Sequence, residues 1–313
     1  MSNLPFPLNE RYYHYSRYLR RHFGEKVYRI SLDAGCSCPT RDGKLGTGGC
    51  LYCNNSSFVP QRAANLPPVR TQLLEGIAKA RKPLKAKNFF AYFQAYTNTY
   101  KPITELEQLY RSVLDIPGVV GIIIATRPDC VDADILNLLA DIGQNTYVSI
   151  EYGIESVYDK TLEWVRRGNT FTVTRRAFEQ TKKAGIHTGG HIIFGFPTES
   201  RQEILDSAAV LNALQPDALK IHHLHVVKNS GLAELYRQKP FALFTESEWI
   251  ILISDFLERL APEIVIQRLV SDAQPGTLIA PQWQMPKIRI LQEIQAELAR
   301  RGTYQGARVI ARH

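Results

Sequence analysis

Six short runs rich in β-branched and aromatic residues recur along the first two thirds of the chain, at 27–33, 89–94, 120–126, 146–153, 187–195 and 218–225. Between them, at 70–82, 103–115, 132–142, 157–166, 171–184 and 200–214, apolar positions return every three or four residues with polar ones interleaved. VGIIIAT at 120–126 is almost wholly apolar, as a strand buried on both faces must be. Strands separated by helical crossovers build a parallel sheet, so the pattern predicts an α/β fold: a partial (β/α)6 barrel over residues 1–225, including its N-terminal lead-in. In a barrel of this kind, functional side chains gather at the C-terminal ends of the strands. The alternation stops after His225. Helical periodicity at 230–238, 246–260 and 286–301, with one strand at 265–270, predicts a small α+β extension over 226–313.

Composition narrows the class. The chain has 313 residues, 44% of them hydrophobic, enough for a substantial core and too apolar for a disordered chain. No apolar run approaches the length of a membrane span, and the first residues lack the apolar stretch of a secretion signal. A soluble cytoplasmic protein without a membrane partner is the expectation. The formal net charge of +8 favours anionic partners such as RNA or phosphorylated metabolites. The basic runs RYLRRHFG near the start and KARKPLKAK at 79–87 nevertheless read equally well as solvated helix faces.

Candidate chemistry concentrates just after the first strand. Of five cysteines, Cys36, Cys38, Cys50 and Cys53 fall within eighteen residues and Cys130 stands alone. An odd number so clustered reads as metal ligation and not as a disulfide framework. Eleven residues, four of them glycine, separate Cys38 from Cys50, and glycine lets a backbone fold back closely on an inorganic group. Cys38, Cys50 and Cys53 would give three thiolates to a [4Fe-4S] cube and leave one iron open for a small-molecule ligand. All four clustered cysteines could instead close a zinc site, although Cys36-x-Cys38 is tighter than usual zinc spacing.

The segment Cys38-Pro39-Thr40-Arg41-Asp42-Gly43, followed by Gly48-Gly49-Cys50 and Cys53, resembles the lengthened cluster motif of the radical-SAM proteins of the YhcC-like group, relatives of the Elongator catalytic subunit. Later segments are similar in order: Thr126-Arg127-Pro128-Asp129, Glu151-Tyr152-Gly153-Ile154-Glu155-Ser156, Arg166-Arg167-Gly168 and His191 through Glu199. The resemblance implies a TIM-like barrel of the radical-SAM type, with metal ligands Cys38, Cys50 and Cys53. It also implies reductive cleavage of S-adenosylmethionine (SAM) to a 5′-deoxyadenosyl radical, with electrons from a donor such as flavodoxin or ferredoxin.

For SAM itself the resemblance implies Tyr52 at the adenine, Glu151 and Ser156 at the ribose or carboxylate, Arg167 at the carboxylate and Gly195 against the adenine. Gln94 or Thr97 would stand in for a Gly-Gly-Glu triplet that this chain lacks, and Glu199 would cap the next helix. Arg127, His191, His223 or His225, and the pair Arg268 and Asp272 are candidates to meet substrate, since three histidines at 222, 223 and 225 must put at least one toward the cavity. RNA base modification, possible through the Elongator kinship and the basic charge, competes with a small anionic metabolite as substrate. A non-enzymatic, zinc-stabilised RNA-binding protein is the third alternative.

Overall fold

The computed structural model describes residues 4–54 and 66–309. The crossover pattern read from the sequence is present. Strands β1 (Val27–Leu32), β2 (Asn88–Phe93), β3 (Val119–Thr126), β4 (Tyr147–Glu155), β5 (His187–Phe194) and β6 (Ala218–His223) pair in parallel, each with the next. Helices α2 (Val69–Leu84), α3 (Ile103–Arg111), α4 (Ala133–Gly143), α5 (Asp159–Trp164), α6 (Phe171–Lys183) and α7 (Arg201–Leu214) connect them. Their apolar faces, through residues such as Leu73, Leu106, Leu139, Phe178 and Leu211, bury the outer face of the sheet. Burial on both faces explains why the strand runs lack period-two alternation.

The main departure concerns the extension. Its strand β8 (Val265–Arg268) joins the barrel beside β6, with Ala218 opposite Val265 and Leu219 opposite Ile266, so the sheet has seven strands and not six. Periodicity places a strand but not its partner, which is why 265–270 reads in sequence as part of an appendage. The rest of the extension packs outside the barrel: β7 (Val226–Val227) pairs with β9 (Leu278–Ala280), and α8 (Gly231–Gln238), α9 (Glu246–Arg259) and α10 (Lys287–Arg300) surround them. Thr245 and Ser200 each close a capping box at the start of α9 and α7, so the helix role expected of Glu199 belongs to its neighbour.

β1 and β8 are the two edges of the curled sheet. Helix α1 (Tyr15–Phe23) lies against both edges, and the Ile266 N–H donates to Tyr13 O at 2.8 Å. Leu19 and Phe23 join Phe90, Ile123 and Tyr147 in an apolar plug at the N-terminal end of the barrel. The basic run around Arg20 and Arg21 lies on the solvent side of α1, as a solvated helix face does.

Candidate active site

The cysteine loop leaves the C-terminal end of β1. Its fold-back depends on Arg41, whose Nη2 donates to Cys53 O at 2.7 Å while Gly49 N–H donates to Thr40 O at 2.8 Å. Gly49 has φ +73°, which favours glycine, and a Cβ there would also crowd the Arg41 guanidinium at 2.8 Å. Cys38, Cys50 and Cys53 thereby line one cavity of about 240 Å³ at the barrel mouth. Cys36 does not line it. It is buried, close enough to Tyr110 to act on it electrostatically.

Cations surround the three thiols. Arg167 Nη1 lies 3.8 Å from Cys50 Sγ, its Nη2 donates to Gly153 O at 2.9 Å, and Glu155 Oε1 is 3.6 Å away. Arg127 forms a bidentate pair with Asp129 and donates to Arg167 O at 2.7 Å. Two donors remain buried without a partner among the described residues, Arg127 Nη1 and Arg167 Nε. Burial opposes ionisation of Cys38, but hydrogen bonds from Thr40 and Thr97 and the nearby Arg127 outweigh it and pull the thiol below its ordinary value. Cys53 lies deeper, and burial pushes it up to about 11. Three thiols lining one cavity, with unsatisfied guanidinium donors beside them, fit an anionic group held among them.

A polar layer crosses the barrel between this mouth and the apolar plug. Its centre is Glu151, only 1% exposed, whose Oε2 accepts from Lys220 Nζ and lies 3.1 Å from His191 Nε2. Lys220 Nζ also donates to Tyr92 OH at 2.9 Å, and Arg29 Nη2 is 3.8 Å from Glu151 Oε1. Despite burial, the Lys220 and Arg29 charges hold the Glu151 carboxyl well below the usual carboxylate range. Burial lowers Lys220 to about 7 and His191 to about 4. Arg268, on β8, faces the same cavity and approaches His222 Nε2 at 3.4 Å.

A model of the Radical SAM superfamily matches residues 45–211, and one of the Radical_SAM C-terminal domain matches residues 216–300. The chain belongs to the radical SAM superfamily. It is therefore an enzyme of that class, in which SAM is cleaved at an iron–sulfur cluster. Across 98% of its length it is 34% identical to the uncharacterized protein YtqA of Bacillus subtilis, covering 96% of that protein. It is 32% identical to the protein YhcC of Escherichia coli, over 85% of each chain. Among solved structures, the Methanocaldococcus infernus Elp3 with an N-terminal deletion superposes with a TM-score of 0.66 at 16% identity, over 89% of this chain and 64% of that one. That likeness speaks to the fold.

For a radical SAM protein, the expected residues divide clearly. Tyr52, Gln94, Thr97, Glu151 and Arg167 line the cavity with the three cysteines. Glu151 does so at depth, already engaged by Lys220 and His191. Ser156 and Gly195 lie outside the lining: Ser156 Oγ donates to Glu199 Oε1, and Gly195 packs beside Phe244 and Leu224. Among the strand histidines, His191 and His222 face the cavity. His223 instead stacks on Trp283 at 3.9 Å and meets His225, Nε2 to Nε2, at 2.6 Å, because alternate residues of β6 point outward. Arg268 faces inward, whereas Asp272 pairs with Lys287 at the surface. Sequence reasoning passed over Lys220, Tyr92, Arg29 and Glu155. A lysine inside the apolar run ALKI was the available signal, since an unpaired lysine is seldom buried.

Among the described residues, no three His, Cys, Asp or Glu side chains converge to hold a single metal ion. Cys36 does not line the cavity that the other three cysteines share, so the four-thiolate zinc arrangement is not formed. No described helix is long and apolar enough to cross a membrane.

Proposed function

We propose that Cys38, Cys50 and Cys53 hold a [4Fe-4S] cluster at the mouth of the barrel and that SAM binds beside it, in a cytoplasmic setting that keeps the thiols reduced. The observation that carries this reading is the shared cavity: Cys38, Cys50 and Cys53 all line it, and Arg167 lies against Cys50. The chemistry a bound cluster supplies is one-electron reduction of SAM, from a donor such as flavodoxin or ferredoxin, to methionine and a 5′-deoxyadenosyl radical. The chain's own residues position and shield. Arg167 offers a planar fork to the SAM carboxylate, Tyr52 an aromatic face to the adenine, and Gln94 and Thr97 polar groups to the amino end. Ser156 and Gly195 support the strand ends from outside the cavity.

For the substrate, two readings have separate support. The net charge of +8 and the kinship with Elongator favour RNA, tRNA included. The cation-rich polar layer inside the barrel favours a small anionic metabolite. Anaerobic reconstitution is expected to give a brown protein with an iron–sulfur absorbance band that releases 5′-deoxyadenosine after dithionite reduction. A colourless protein retaining stoichiometric zinc would refute the reading. Dependence of SAM cleavage on added RNA separates the two substrate classes.

A further inference from the structure

Two cavities meet at Arg268. It lines the cysteine cavity and also a cleft of about 520 Å³ between the β1 and β8 edges, which Arg29, Tyr15, Tyr28 and Lys287 share. Arg29 closes that edge by donating to Gln267 Oε1 at 2.7 Å while its guanidinium lies over the Tyr15 ring at 4.4 Å. Among the described residues Arg268 has no carboxylate partner, and its contact with His222 is long. The same layer holds one carboxylate, Glu151, against three cations, Arg29, Lys220 and Arg268. Even with Lys220 neutral, the two guanidinium groups outnumber it. A cavity lined by cations in excess of carboxylates concentrates anions. Glu151 Oε1 is buried and accepts no hydrogen bond. It lies 3.8 Å from Arg29 Nη2, so Glu151 is taken up by Arg29 and Lys220 and is not free to neutralise Arg268.

We propose that Arg268, with Lys220 opposite it on β6, forms the subsite for the anionic group of a small substrate, a carboxylate or a phosphate. The proposal rests on the small-metabolite reading above. Two sets of cations are then distinct: Arg41, Arg127 and Arg167 attend the cysteines, while Arg268 and Lys220 attend the substrate from the β6–β8 side. Arg268 supplies a two-pronged donor that a lysine could not replace. Glu151 acts as a positioning residue for Lys220.

Phenylglyoxal labelling of the full-length protein, mapped by mass spectrometry, tests this without a mutation. Inorganic phosphate and malonate serve as probes for the two anion types, and at least one is expected to slow labelling of Arg268; the stronger of the two names the substrate's charged group. Unchanged labelling with both overturns the proposal. Protection by an RNA oligonucleotide alone also overturns it, in favour of a macromolecular substrate. Protection by S-adenosylhomocysteine alone overturns it too, since Arg268 would then belong to the nucleoside site. In Arg268→Gln, phosphate affinity read from thermal stabilisation is expected to fall about tenfold, with Arg268→Lys intermediate. Cys38→Ala keeps this result distinct from the cluster reading. That variant is expected to lack iron yet retain anion protection at Arg268, and loss of protection there would tie the anion to the cluster and overturn the subsite. If wild-type protein holds no iron while protection persists, the radical chemistry falls and the subsite stands.

Discussion

Cys38 lies twelve residues before Cys50, and it reaches the same cavity because Arg41 and Gly49 fold the intervening loop back. Cys36, on the other side of the turn, stays beside Tyr110. Anaerobic iron and sulfide assays are therefore expected to show almost no cluster in Cys38→Ala and a full complement in Cys36→Ala. Gly153 is a second sensitive position. A Cβ there would clash with the ends of the Glu155 and Arg167 side chains, so Gly153→Ala must displace one or both from their present contacts. We expect that substitution to lower urea stability by about 1–3 kcal/mol and to weaken S-adenosylhomocysteine binding. Calorimetry that finds wild-type affinity would show that Arg167 does not hold the nucleoside. The cysteine spacing was legible in the sequence. Lys220 was not, because its significance lies in reaching Glu151 and Tyr92, on strands 69 and 128 residues away.

At the level of elements, β8 makes the extension part of the barrel. A chain ended after His225 would expose the β6 edge and remove Trp249, which is fully buried and donates to Leu269 O at 3.1 Å. Such a truncation is expected to aggregate; a soluble, folded fragment in gel filtration would show that the barrel closes without β8. The junction of β6 with the extension also sets an acid response. Burial depresses His225 to about 4, as it does His191, against an ordinary value of 6.5. The unfolded chain therefore binds more protons than the folded one between those values, and stability falls as pH drops through that window. Each histidine contributes up to about 1.4 kcal/mol per pH unit. Urea midpoints measured from pH 7 to pH 5 should fall accordingly, and less steeply in His225→Gln. The periodicity located these strands and helices, but which strand closed the sheet depended on contacts at a distance.

Over the whole molecule, the net charge of +8 is distributed along the chain. Any RNA affinity that arises from it alone should collapse with salt, with log K falling by about 0.7 per phosphate contact for single strands. Anisotropy titrations at several salt concentrations would measure this, and salt-insensitive binding would point to a dedicated RNA surface. By itself the sequence determined the α/β class, the order of strands β1 to β6, the cysteine loop and the residue types at the barrel mouth. Those follow from local periodicity and from ligands close together in the chain. Tertiary structure alone decided the seventh strand, the outward turn of His223 and the assembly of Arg29, Tyr92, Glu151, Lys220 and Arg268 into one layer. Each depends on which strand lies beside which and on which face a side chain points toward, and parallel pairing fixes both across crossovers too long for any local pattern to encode.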